Sequence, residues 1–77
     1  MEYTVILQED EEGNWLASVP AIKGCHPWGY TREEALTNAK GAVQGCLETL
    51  AATGNAIPRE THPLELARVK VAWRVKV

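Results

Sequence analysis

The chain has 77 residues, ten acidic side chains against eight basic ones, and a formal net charge of −2. A chain this short fits one domain, residues 1–77, which buries only about 60% of the surface its unfolded form exposes. With no purely apolar run longer than four residues, and Glu2 where a secretory signal would carry a positive charge, the sequence predicts a cytoplasmic protein without a membrane span.

A core of this size supplies no more than about 3–5 kcal/mol, so disulfides, a metal or a partner subunit is expected to supplement it. Two cysteines, Cys25 and Cys46, make no disulfide framework. His26 and His62 lie far apart, and no Cys-x-x-Cys or His-x-x-x-His spacing occurs. No cofactor or metal is therefore expected, and self-association into a homo-oligomer, a dimer or tetramer, is the favoured supplement.

Taken in chain order, Glu2 to Gln8 alternates as a strand, with Tyr3, Val5 and Leu7 on one face. The run Glu9-Asp10-Glu11-Glu12 meets Gly13-Asn14, a pair suited to reversing the chain, and Trp15 to Val19 completes a hairpin. Pro20 to Gly24 reads as a connection to a short third strand around Cys25 to Tyr30, made irregular by Pro27.

Thr31-Arg32-Glu33-Glu34 has the spacing of a capping box, in which Thr31 accepts from the Glu34 amide and the Glu34 carboxylate reaches back. The helix it opens carries Ala35, Leu36, Ala39, Val43, Cys46, Leu47 and Leu50 on one side and stops at Gly54. Gly41 and Gly45 inside it each cost about 1 kcal/mol relative to Ala. Close approach to a sheet is the favoured compensation, and close helix–helix contact in a dimer is the alternative.

Asn55 to Ala67, with Pro58 and Pro63, reads as a loop with one helical turn around Leu64 to Ala67. Val69, Val71, Trp73, Val75 and Val77 then alternate with Lys70, Ala72, Arg74 and Lys76, the period of a strand with one wet face. The fold class is thus α+β, β-β-β-α-β. A right-handed crossover places the last strand beside the first, in sheet order 3-2-1-4 with one helix on one face.

A three-stranded meander followed by a helix and a parallel strand is how a ribonuclease H-like domain starts, so a metal-dependent nuclease is one alternative. Its acidic centre is not evident, since Glu9 to Glu12 occupy a hairpin turn where solvation explains them. No nucleophile–base pair is specified by His26 or His62, and catalytic residues are not expected. His26, Trp28 and Tyr30, two apart on the predicted third strand, form the most suggestive surface cluster, as partner anchors or as the rim of the core. The basic row Arg68, Lys70, Arg74 and Lys76 reads as protection of a strand edge in preference to a nucleic-acid contact.

Val19-Pro20-Ala21-Ile22-Lys23-Gly24-Cys25, then Gly29-Tyr30-Thr31-Arg32-Glu33-Glu34-Ala35-Leu36 with Asn38-Ala39, and later Gly54 and Ile57-Pro58 resemble HicB-like antitoxins from about Tyr3 to Pro58. The resemblance implies a partial ribonuclease H-like fold, not an enzyme, that binds and blocks a small RNA-cleaving HicA-type toxin. Glu9, Asp10, Glu11 and Glu12 are then expected to face a cationic partner, and His26, Trp28 and Tyr30 to anchor it. Antitoxins of this kind usually continue into a DNA-binding segment that does not match here, so direct DNA binding is not expected. A stand-alone homo-oligomeric regulatory or scaffold module with no cognate toxin is the alternative role.

Overall fold

The computed structural model describes residues 1–74. Strand β1 (Ile6–Glu9) pairs antiparallel with β2 (Trp15–Ser18), which pairs antiparallel with β3 (Trp28–Gly29), giving sheet order β1-β2-β3. Helix α1 (Arg32–Ala52) follows and packs over β2 and β3. Three antiparallel strands and one helix on one face confirm the α+β class.

The hairpin forms because its turn is internally bonded. The Asp10 carboxylate accepts from the amides of Glu12 and Asn14, each at 2.9 Å, while the Asp10 amide donates to the Asn14 carbonyl at 2.8 Å. Register then follows as Glu9↔Trp15, Gln8↔Leu16, Leu7↔Ala17 and Ile6↔Ser18. β1 begins at Ile6 and not at Glu2, because β2 supplies no ladder partner beyond Ser18.

β3 is only two residues long, against the six expected. Pro27 has no N–H to donate; its carbonyl instead accepts from the Ala17 amide at 2.8 Å, which carries the pairing one step further.

α1 begins and ends as its sequence directs. The Thr31 hydroxyl accepts from the Glu34 amide at 3.0 Å; the Glu34 carboxylate reaches back one residue beyond the cap, accepting from the Tyr30 amide at 3.3 Å. At the other end Gly54 adopts φ +74°, letting the Gly54 and Asn55 amides close onto the Ala51 and Leu50 carbonyls at 3.2 and 2.9 Å, a Schellman stop.

The helix meets the sheet through its smallest residues. Ala35 and Ala39 are fully buried, and Gly29 permits that approach: a methyl group on Gly29 would lie 2.5 Å from the Ala35 amide nitrogen and 2.9 Å from Glu34. Further along, Val43, Cys46 and Leu47 pack on a second cluster of Val19, Ile22 and Cys25. The expectation that Gly41 and Gly45 touch the sheet is not met. Neither has any atom within 4 Å of a notional methyl group, and both are exposed.

The fourth strand, and with it the order 3-2-1-4, is not formed among the described residues. Val69 to Arg74 carry no strand pairing, and Val69, Val71 and Trp73 are 84%, 76% and 82% exposed; Val75, Lys76 and Val77 lie outside the described residues. Leu64 to Ala67 form no helical turn. The chain consequently measures 57 × 29 × 20 Å with a radius of gyration of 16.1 Å, against about 11.5 Å for a compact chain of this length.

Two substitutions test this packing by urea denaturation. Gly29→Ala should cost about 1–3 kcal/mol, because the added methyl meets backbone that must shift. Gly41→Ala should stabilise by about 1 kcal/mol, since the space is open and the helix gains propensity.

Candidate partner-binding face

Residues directly opposed in an antiparallel ladder project to the same side of a sheet. Leu16 opposes Trp28 across β2 and β3, and both stand on the face that α1 does not cover. Tyr30, one alternation beyond Trp28, joins them: the two rings meet edge to face, centroids 5.1 Å apart and planes at 82°. Leu16, Trp28 and Tyr30 are 44%, 47% and 69% exposed. The Trp28 backbone is held in place by the Asn38 side-chain amide, which donates to its carbonyl at 2.7 Å.

His26 is exposed like Trp28 and Tyr30, while the intervening Cys25 and Gly29 are buried and Pro27 is half-buried. The segment thus alternates as its spacing predicts. Only Trp28 and Tyr30 form a ring contact, and His26 lies outside β3. Leu16 did not emerge from the sequence, because Trp15-Leu16-Ala17 is apolar in both phases of the alternation. The hairpin spacing, which sets Leu16 opposite Trp28, is the signal that finds it.

The four acids divide into two groups. Glu9, Glu11 and Glu12 are exposed, whereas the Asp10 carboxylate is half-buried and engaged by two backbone amides, so its charge organises the turn. Glu9, Trp15 and Gly29 lie in one row across the three strands, which sets Glu9 about 10 Å from Gly29 at ordinary strand spacing. β1 and β3 run in the same direction, so Tyr30 points toward the hairpin end. The acidic turn and Tyr30 therefore share one end of the sheet, although Glu9, in the row of Trp15 and buried Gly29, projects to the side that α1 covers.

Behind this face, Cys25 and Cys46 are free thiols. Burial, and to a lesser degree the proximity of Cys46, pushes the Cys25 thiol above its usual range. Among the described residues no three His, Cys, Asp or Glu side chains are grouped as a metal site would need, and no helix is long and apolar enough to cross a membrane.

These features define a small α+β fold of three strands and one helix, with one sheet face that the helix leaves uncovered. A family profile described as the HicB-like antitoxin of bacterial toxin–antitoxin systems matches residues 3–76, and the chain belongs to that family. The UPF0150 protein Ta0767 of Thermoplasma acidophilum is 43% identical over 60 residues, covering 78% of this chain and 87% of the relative. The UPF0150 protein ssr1765 of Synechocystis is 40% identical over 58 residues, covering 75% and 73%. The crystal structure of the N-terminal domain of Burkholderia pseudomallei antitoxin HicB superposes with a TM-score of 0.74 at 30% identity, over 82% of this chain and 74% of that one.

The Cys25 environment has a pH signature. Because its folded pKa is raised, the thiol stays protonated when the unfolded chain has begun to ionise, so its contribution is intact below about pH 8.5 and is lost as pH rises beyond that. Denaturation midpoints should fall in the alkaline range, and the difference between the wild type and Cys25→Ala should shrink there; a constant difference would contradict the buried-thiol assignment.

Proposed function

We propose that this domain binds a small, basic, HicA-type RNA-cleaving toxin and blocks it by covering its active surface. Membership of the antitoxin family supports a regulatory role of antitoxin type. The observation that carries the mechanism is the exposed Leu16, Trp28 and Tyr30 cluster beside an acidic hairpin.

Trp28 and Tyr30 bury much area at little entropic cost, and the edge-to-face contact restrains them before binding. Glu9, Glu11 and Glu12 draw a cationic partner toward that end and raise the encounter rate. Asp10 supports the turn that presents them, and His26 extends the cluster along its outer side. In this reading inhibition is steric and electrostatic, the domain is not an enzyme, and it acts in the cytoplasm without contacting DNA itself.

We also propose that the domain is a homo-oligomer and that the position beside β1 is filled by the terminal strand, as the order 3-2-1-4 requires. The exposed Val69, Val71 and Trp73 favour, as a second reading, a self-associating scaffold with no cognate toxin.

Co-expression with a small basic protein encoded beside this one tests the first reading. Toxicity should be relieved and the pair should co-purify. Trp28→Asp should weaken the complex by at least about 30-fold, the effect of losing about 2 kcal/mol at an interface hot spot. Glu11→Lys with Glu12→Lys should slow association and reduce its salt dependence. A Trp28→Asp variant that binds as tightly as the wild type would remove this face from the account.

A further inference from the structure

Among the described residues no element pairs along the outer edge of β1. Because α1 lies over β2 and β3, a groove of about 690 Å³ opens between the head of the first strand and the helix, bordered by Tyr3, Val5, Leu36, Val43, Leu47 and Ile57. β1 is also an edge strand: among the described residues it pairs only with β2. A free strand edge beside an open apolar groove has the form of a sheet from which one strand has been withdrawn.

The chain carries a segment with the matching form. Val69, Val71 and Trp73 alternate with Lys70, Ala72 and Arg74, and the apolar set is almost wholly exposed. Charge complements the fit, since residues 1–58 hold eight acidic side chains against three basic ones, whereas residues 66–74 hold Arg68, Lys70 and Arg74 and no acid.

The geometry argues against the same molecule supplying that strand. The Pro58 carbonyl accepts from the Tyr3 hydroxyl, and the Glu60 carboxylate accepts from the amide and hydroxyl of Thr4, so the chain meets the head of the first strand at residues 58–60. Val69 comes nine residues after Glu60, roughly 30 Å of extended chain, while the four residues of β1 span roughly 13 Å. The intervening residues contain a bend at His62 and no hydrogen-bonded turn that would bring them back. Val69, Val71 and Trp73 accordingly stand away from their own sheet, unpaired and exposed.

We propose that residues 66–74 of one molecule seat on the β1 flank of a second copy, adding a strand to its sheet and laying Val69, Val71 and Trp73 toward its groove. Exchanged reciprocally, the two arms close a two-fold dimer and double the apolar area removed from water. The destination is the place beside β1 that the sequence predicts for the last strand; what differs is the molecule that supplies it. The inference does not rest on toxin binding, which uses the opposite face of the sheet.

Light scattering of the full chain at micromolar concentration, combined with hydrogen exchange, tests it. The wild type should be a dimer with protected amides at Leu7 and Glu9, the two of β1 that face away from β2 by the alternation of the ladder. The double variant Val71→Asp/Trp73→Asp, altered only at exposed positions and so expected to fold, should be at least tenfold weaker as a dimer and lose that protection. Mixing it with a groove variant, Leu36→Asp, altered at a groove-lining position outside the Val19, Ile22 and Cys25 cluster, should restore a heterodimer through the one intact arm and groove, detectable by native mass spectrometry; circular dichroism checks that the groove variant is folded.

A monomeric wild type would overturn the proposal, as would a dimer indifferent to the arm substitutions. Protection of β1 that appears only when a toxin is added would assign the groove to that protein and equally overturn it. The two readings fail separately: a monomer that still captures the toxin removes the exchange alone, and a dimer that ignores the toxin leaves the exchange standing.

Discussion

The contact on which the rest of the structure depends is the seating of the first turns of α1 against β3. Gly29 has no side chain, Ala35 and Ala39 have the smallest ones, and together they let helix backbone and strand backbone come closer than any larger residue would allow. This contact fixes which side of the sheet is covered. It turns Leu16, Trp28 and Tyr30 outward, and it holds the helix over β2 and β3 so that the β1 flank stays open.

The same contact explains why the core is thin. Alanines bury little area, and the buried hydrophobic set of Ala17, Val19, Ile22, Cys25, Ala35 and Ala39 contains no aromatic residue. At about 25 cal/mol per Å² of apolar surface removed from water, so small a set leaves little stability in reserve. Large apolar side chains have meanwhile been left outside, as Trp28, Tyr30 and Trp73. Three of the five aromatic residues thus lie exposed, and that is the apolar surface on which the proposed protein contacts draw.

Features of this fold governed by neighbouring residues were legible in the sequence. Thr31 with Glu34 marks the helix start and Gly54 its end, and each does so through bonds spanning only a few residues. The acidic hairpin was legible for the same reason, although its spacing could not show that Asp10 is committed to the turn. Features set by distant partners were harder to read. The two-residue period from Val69 onward predicts a strand, yet Val69 to Arg74 carry no pairing among the described residues, and the spacing of Gly41 and Gly45 suggests a close contact without saying that the helix side facing the sheet is another one. Trp28 and Tyr30 were found from their alternation; Leu16, apolar in a stretch apolar in both phases, becomes visible only through its cross-strand register.

In the proposed complex the helix-free face of the sheet meets the toxin while the helix seating beneath it stays closed. Amide and indole chemical shifts of the isotopically labelled domain, followed on addition of the toxin, measure this directly. Large shifts are expected at Leu16, Trp28 and Tyr30 and in the Glu9–Glu12 turn, with Ala35 and Ala39 nearly unmoved. Shifts centred on the exposed side of α1, with the Trp28 indole unchanged, would contradict that arrangement.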